Sequence, residues 1–277
     1  MSTASEWTWY VNGIKEVLYS ERPHVKCTLD EEKNTLLNWV YYHDVMKQFS
    51  IRHWKTTPRD KSEPSITQPQ LQDDSNRKQI SQQDLLVCHR VTPSAPWITV
   101  ILKLMSELCD TVPTKPRLET MNAQDLEEFA NRIRILDWRI RNVPVPSAAE
   151  KISSSVRLYQ LAMLIYLNRV TANILHQASK IQDYIDNAFT LLAELETCKP
   201  HFPMYIIGWE ASTDEQRATV LELLGRTKKD PSSRSMFHVE VLVQAGWTQD
   251  DLAEGELNYW DKVTTLISVC STMPSFV

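Results

Sequence analysis

Across its 277 residues the chain carries 30 Lys and Arg against 35 Asp and Glu, a net charge of −5 with a pI near 5.8, and no basic stripe, so it lacks the electrostatic footprint of a nucleic-acid binder. Hydrophobic residues make up 42% and include nine tryptophans, enough for one large packed domain or two small ones, whereas glycines number only five. That scarcity argues against α/β nucleotide folds and turn-rich β-sandwiches, and for helices joined by polar loops.

No apolar run approaches membrane-spanning length, and Met1–Glu6 lacks the basic and apolar regions of a secretion signal. The expectation is a protein of nucleus or cytoplasm, not secreted, with no membrane partner. Cys27, Cys88, Cys109, Cys198 and Cys270 are odd in number and widely spaced, which fits thiols in a reducing compartment and gives no zinc-cluster spacing.

In chain order, Ser5 caps a first helix with Trp9, Val11, Ile14, Val17 and Leu18 at helical intervals. A capping box from Thr28 to Glu31 opens a second helix through Leu36, Leu37, Val40, Val45 and Phe49. Within it, Tyr42-His43-Asp44 is chemically suggestive, but adjacent helix positions point about 100° apart, so His43 and Asp44 do not form a direct dyad. A hydrogen-bonded core histidine and a surface Asp44–Lys47 pair are the plainer readings. Ligand contact or acid-base chemistry is the alternative.

Residues 55–83 change character: Pro58, Pro64 and Pro69 sit among Ser, Thr, Gln, Asp and Lys, with only Ile66, Leu71 and Ile80 apolar. This predicts a flexible, disordered polar insert that buries too little to offset its ordering entropy. Asp84–His89 is a short apolar piece in which adjacent Cys88 and His89 are poorly placed to share a metal. Thr92–Pro96 begins a helix through Val100, Ile101, Leu104, Met105 and Leu108.

Asn122 caps the next helix, with Leu126, Phe129, Ile133 and Leu136, ending before Pro144. Its Arg132, Arg134, Arg139 and Arg141 alternate with Glu127, Glu128 and Asp137, which reads as a solvated face rather than a DNA stripe. Ser147 opens the longest periodic segment, marked by Ile152, Val156, Tyr159, Met163, Tyr166 and Val170. It is apolar nearly all round and predicted to be the central helix. A further helix covers Ile181–Leu195.

The run Pro203–Arg217 then joins a short apolar segment to a new helix. Met204–Ile207 reads as a buried piece of chain, and Gly208 as a close approach or a special dihedral. Thr213 and Gln216 form a capping box, and Ala218, Leu221 and Leu224 continue the apolar face. Glu210, amid apolar neighbours, must reach solvent or find a cation, with Arg217 the nearest candidate. Asp230-Pro231 breaks the chain. Phe237 and Val241–Val243 predict a helix ending near Gly246 with Trp247 beyond it, and Leu257, Trp260, Val263, Leu266 and Ile267 predict the last one.

No phosphate-binding glycine loop, nucleophile elbow or paired-histidine zinc helix is present, and no two of His24, His43, His53, His89, His176, His201 and His238 have helical metal-ligand spacing. No metal or cofactor is expected. Trp39, Tyr42, Trp97, Trp138, Tyr159, Tyr166 and Trp209 are candidates to line an interhelical apolar pocket, against core packing as the competing reading. The candidate ligand-binding set is Tyr42, His43, Tyr166, Trp209 and Glu210. If the chain were an enzyme, His43, Asp44 and Glu210 would be its acid-base candidates.

Several segments carry a resemblance in a fixed order along nearly the whole chain, from Trp7 to Phe276. The run from Pro203 through Gly208, Glu210-Ala211 and Arg217 resembles the proline-aromatic-apolar, glycine, glutamate-alanine, arginine segment of the fungal-specific transcription factor domain. That domain is the regulatory half of fungal binuclear zinc-cluster regulators, whose subfamilies include sterol-sensing ones. Trp7–Lys15 is similar to the family's opening helix, with Ile14 where alanine is usual. Trp39–Val45 carries its tyrosine-histidine-aspartate signature, and Val156–Arg169 resembles its tyrosine, leucine-alanine, isoleucine-tyrosine-leucine, arginine helix. Thr92–Pro96 departs from it, with two prolines where a small-residue turn is usual.

The resemblance implies one all-α regulatory domain over 1–277, an irregular multi-helix bundle or helix-pair array, with Pro274–Val277 docked back onto it. It implies sensing of metabolites or partners. Candidate partners are a small apolar metabolite and a second copy or a co-regulator protein, with no direct nucleic acid contact, since no cysteine cluster is present in this chain. The alternatives are a metabolite-converting relative using the same interhelical pocket and a protein-interaction scaffold.

Overall fold

The computed structural model describes residues 12–14, 31–54, 96–112, 121–145, 150–230, 233, 235–253, 255, 258–270 and 273–276. Most of the expected first helix, Thr28, the 55–83 insert, Asp84–His89, Ser147, Leu257 and Val277 lie outside the described residues. Among those described the regular elements are all helical, and the fold is all-α. The helices are α1 (Glu31–His53), α2 (Pro96–Thr111), α3 (Ala123–Arg141), α4 (Glu150–Val170), α5 (Ala178–Glu194), α6 (His201–Trp209), α7 (Asp214–Thr227), α8 (Met236–Leu252) and α9 (Tyr259–Val269).

Helix α4 is the axis. Val156 and every residue from Leu158 to Asn168 are buried, and the helix packs against α2, α3, α5, α6 and α9. A helix apolar on all faces is stable only when neighbours surround it. Its one polar intrusion in the first half, Gln160, has a structural task. Its Nε2 donates to the carbonyls of Ile140 (2.9 Å) and Arg141 (2.8 Å), the last acceptors of α3, of which Ile140 also accepts from the Val143 amide. At the other end of α3, Asn122 accepts from the Asp125 amide at 2.8 Å, the N-cap that the sequence indicates.

Helix α6 bears out the burial expected of Met204–Ile207 and gives the segment its form. Met204–Ile207 is the middle of a nine-residue helix whose residues are all buried. Pro203 is compatible with it because the first turn contains amides without an intrahelical partner, so a missing N–H is harmless there. Gly208 serves close packing rather than a special dihedral, since no described glycine has positive φ. A Cβ there would lie 3.3 Å from Val243 of α8 and 3.4 Å from Val220 of α7. The Thr213–Gln216 capping box forms as expected.

A correction concerns α8, which runs through Gly246 and Trp247 to Leu252 instead of stopping near the glycine. Gly246 is there because the Trp209 indole of α6 lies against its backbone, leaving a Cβ only 2.6 Å from Nε1. Segment 273–276 docks on the bundle. Phe276 is buried against Phe49 of α1 and Tyr205 of α6, and Ser50 donates to the Pro274 carbonyl at 2.6 Å.

Candidate functional site

The interior between α1, α4, α6 and α9 is a continuous seam of rings. Phe49 meets His53, Tyr166, Phe202 and Phe276 edge-on at centroid distances of 5.1 to 5.3 Å. Tyr166 continues the seam to Tyr259 at 6.3 Å, and Tyr259 stacks on Trp209 at 5.4 Å. In the other direction Phe202 stacks with Tyr159 at 6.5 Å.

Polar atoms enter this seam in a few places. His53 is fully buried and uses both ring nitrogens, with Nδ1 3.0 Å from Thr264 Oγ1 and Nε2 2.7 Å from the Tyr166 hydroxyl. A neutral imidazole donates at one nitrogen and accepts at the other, and either hydroxyl can complement it. Nearer the start of α4, the Tyr42 and Tyr159 hydroxyls share a hydrogen bond at 3.1 Å. The buried hydroxyls of Tyr205 and Tyr259 have no hydrogen-bond partner among the described residues. Burial pushes the phenols of Tyr42, Tyr159, Tyr166, Tyr205 and Tyr259 above their ordinary range, so all five stay neutral at physiological pH.

The structure divides the sequence-derived ligand set. Tyr166, Trp209 and Glu210 are grouped, through Tyr259, near the end of α4. Tyr42 and His43 lie toward its start: Tyr42 meets α4 at Tyr159, whereas Glu210 meets it at Arg169, about 15 Å of helix rise away. His43 is half-buried, with Trp39 at 3.9 Å, and burial lowers its pKa. The trio His43, Asp44 and Glu210 is therefore not assembled into one acid-base site. Asp44, on α1 beside His43, is half-buried.

Glu210 does form the ion pair its apolar setting demands, but with Arg169. Arg169 Nη2 and Nε reach the two carboxylate oxygens at 2.6 and 3.2 Å. Arg217 turns its terminal nitrogens to Asp251 of α8, at 2.7 and 2.8 Å, while its Nε donates to the Ala211 carbonyl at 3.4 Å. Burial works against the Arg169 charge, and Glu210, together with Tyr259 and Asp250, more than offsets it.

Two expected pocket aromatics are on the surface. Trp138 is 59% exposed and Trp39 46% exposed. Trp138 sits two positions past Leu136, about 200° around α3 from the stripe of Phe129, Ile133, Leu136 and Ile140 that faces the core. On the same helix Arg139 pairs with Glu107 of α2 and Arg141 with Asp137, so the arginines are partly neutralised as well as solvated.

Sequence reasoning passed over His53, Tyr205, Tyr259, Trp260, Thr264 and Phe276 as site residues. For His53 a signal existed: it extends the buried stripe Val45, Met46, Phe49 by one more turn of α1. Among the described residues no group of three or more His, Cys, Asp or Glu is arranged to hold a metal ion. No described helix is long and apolar enough to cross a membrane.

These features define a class: a helical domain built around a buried aromatic interior with hydrogen-bonding groups set into it. A family model of the fungal-specific transcription factor domain matches residues 1–270, and the chain belongs to that family. It is also similar to transcription factor iacI of Pestalotiopsis fici, with 35% identity over 276 residues that cover 99% of this chain and 67% of that protein. Family and relative together support a regulatory role in transcription. No solved structure matches.

Proposed function

We propose that the domain is an effector-sensing module: a small, neutral, largely apolar metabolite engages the aromatic seam and shifts the domain between two packings, altering its output to transcription. The observation that supports this reading best is the character of the seam. Its rings offer apolar area, and the polar atoms set into it are phenols held neutral by burial, a hydroxyl and an imidazole, with the Arg52 guanidinium at its edge over Trp260 and against Tyr166. Small-molecule sites combine an apolar lining with a few fixed polar groups in this way. Such a lining favours largely apolar ligands, because burying further polar or charged groups in it carries a desolvation cost. A ligand changes the equilibrium only as far as it binds one packing better than the other.

The test is native mass spectrometry of the purified chain, alone and after incubation with a small-molecule extract of its source organism. The expected result is a stoichiometric mass increase that Tyr166→Phe weakens, because that change removes a hydroxyl from the seam. Absence of any adduct in the wild-type chain would refute the reading.

A further inference from the structure

Segment 273–276 occupies the seam in an unusual way. Phe276 sits at φ 50°, the left-handed region that a residue with a bulky side chain seldom adopts, yet its ring is 3% exposed. The ring centroid lies 4.9 Å from that of Tyr205 and 5.3 Å from that of Phe49. The tether is the hydrogen bond from Ser50 Oγ to the Pro274 carbonyl, at 2.6 Å. A strained backbone, two buried side chains (Met273 at the start and Phe276 at the end) and one neutral hydrogen bond make a segment that is docked but releasable.

The wall beside this ring has one unspent donor, Tyr205, with a second nearby. Tyr205 is fully buried, and its hydroxyl has no partner among the described residues; the buried hydroxyl of Tyr259 is in the same position. Buried polar groups in folded proteins are satisfied in the great majority of cases, so two such phenols together call for an explanation. Both rings pack on the same indole, Trp209, at 5.9 and 5.4 Å. Tyr205 lies close enough to raise the Tyr259 phenol further, and Tyr166 raises both. Neutral phenols beside an apolar ring slot match an oxygen acceptor carried on a flat apolar skeleton.

We propose that Phe276 is an intrachain occupant of a ligand slot. Segment 273–276 releases, and a neutral ring-bearing molecule with a carbonyl or hydroxyl oxygen takes the place of the phenyl ring between Phe49 and Tyr205, its oxygen accepting from the Tyr205 hydroxyl, with Tyr259 beside it. This rests on the effector-sensing reading and supplies its ligand chemistry and its moving part.

The test uses two probes of similar size, acetophenone and ethylbenzene, which differ in a carbonyl. Affinities are read from ligand-dependent thermal unfolding of the whole chain. Phe276→Ala, which removes the occupant, is expected to bind both. Adding Tyr205→Phe is expected to weaken acetophenone about fivefold and leave ethylbenzene unchanged, the loss of one neutral hydrogen bond. Ser50→Ala keeps the ring and cuts the tether, together with a longer contact to the Met46 carbonyl one turn back in the same helix. It raises the population of the released state, and so the affinity for acetophenone, about fivefold.

Failure of Phe276→Ala to bind either probe, or equal effects of Tyr205→Phe on both, would overturn the slot. An unchanged acetophenone affinity in Ser50→Ala would overturn the release step, and that variant also decides the matter if Phe276→Ala does not fold. Probe binding here with no adduct from the extract would leave the slot standing and remove the effector reading. An extract ligand bound by the wild-type chain with no probe response would do the reverse.

Discussion

Gly246→Ala should destabilise the domain although it places alanine in the interior of a helix. The added Cβ would lie 2.6 Å from Trp209 Nε1, 2.8 Å from Cδ1 and 2.9 Å from Cε2, so the indole has to move. It has little room, because it stacks on Tyr259 at 5.4 Å, leans on Tyr205 at 5.9 Å and donates from Nε1 to Asp250 Oδ2 at 3.0 Å. Overpacking costs about 1–3 kcal/mol, and losing a hydrogen bond to a charged acceptor about 1.5–3 kcal/mol. The two overlap, since the ring escapes one by giving up the other, and alanine's better helix propensity returns about 1 kcal/mol. The net expectation is a loss of roughly 2 kcal/mol.

Gly225→Ala in α7 is the internal control. Nothing lies within 4 Å of its Cβ, so only propensity acts, and the expectation is a gain of about 0.5–1 kcal/mol. Urea unfolding followed by far-UV circular dichroism and tryptophan fluorescence measures both. In a Trp209→Phe background the pyrrole edge is gone and Gly246→Ala should cost little. If Gly246→Ala matched or exceeded the wild type in stability, the account of why a glycine sits inside α8 would be wrong.

The Arg169–Glu210 pair should be asymmetric. Arg169→Ala strands a carboxylate whose side chain is 8% exposed and should cost about 3 kcal/mol, whereas Glu210→Ala leaves a guanidinium that is 42% exposed to water and should cost about 1 kcal/mol. Equal losses in urea unfolding would contradict this, as would coupling of Glu210 to Arg217 in a double-mutant cycle. His201 should make stability acid-sensitive. Burial, aided by nearby His238, pushes its imidazole down to about 4, so between pH 6.5 and 4 the unfolded chain holds the extra proton. Stability is then full above pH 6.5 and falls on acidification by up to about 3 kcal/mol, a slope that His201→Gln should flatten. Cys109 and Cys198, buried and pushed up to about 12, should resist iodoacetamide in the folded chain and react on unfolding. Peptide mapping that finds either labelled in native conditions would refute their burial.

Features that depend on neighbours in sequence were legible. The Asn122 cap, the Thr213–Gln216 box, the α3 stripe and the all-round apolar character of α4 each follow from residues within a few turns of one another. Features set by long-range packing were not. Glu210 is seven residues from Arg217 but finds Arg169, 41 residues away, because the end of α6 meets the end of α4. Gly246 looked like a helix stop because its reason for being glycine, Trp209, lies on another helix. Trp138 could have been excluded by periodicity alone, whereas the unsatisfied hydroxyls of Tyr205 and Tyr259 have no signature in the sequence at all.

The way the seam is joined gives a route from the slot to the rest of the domain. Phe276 rests on Phe49 of α1 and Tyr205 of α6, and the segment is tethered to α1 by Ser50, so on release of 273–276 helix α1 loses both a ring contact and a hydrogen bond. One turn further along α1, His53 links to Tyr166 of α4 and Thr264 of α9, and its carbonyl accepts from Ser268 at 3.0 Å. Replacing one ring by another of different shape cannot be absorbed locally, since close-packed interiors switch between arrangements rather than deform smoothly. The element that must choose between arrangements is therefore α1 against α9, with α4, buried along most of its length, as the fixed reference for both. A Ser50→Ala variant should accordingly speed amide exchange at the α1–α9 contact before it does so in α4, which supports the same core without touching the tether.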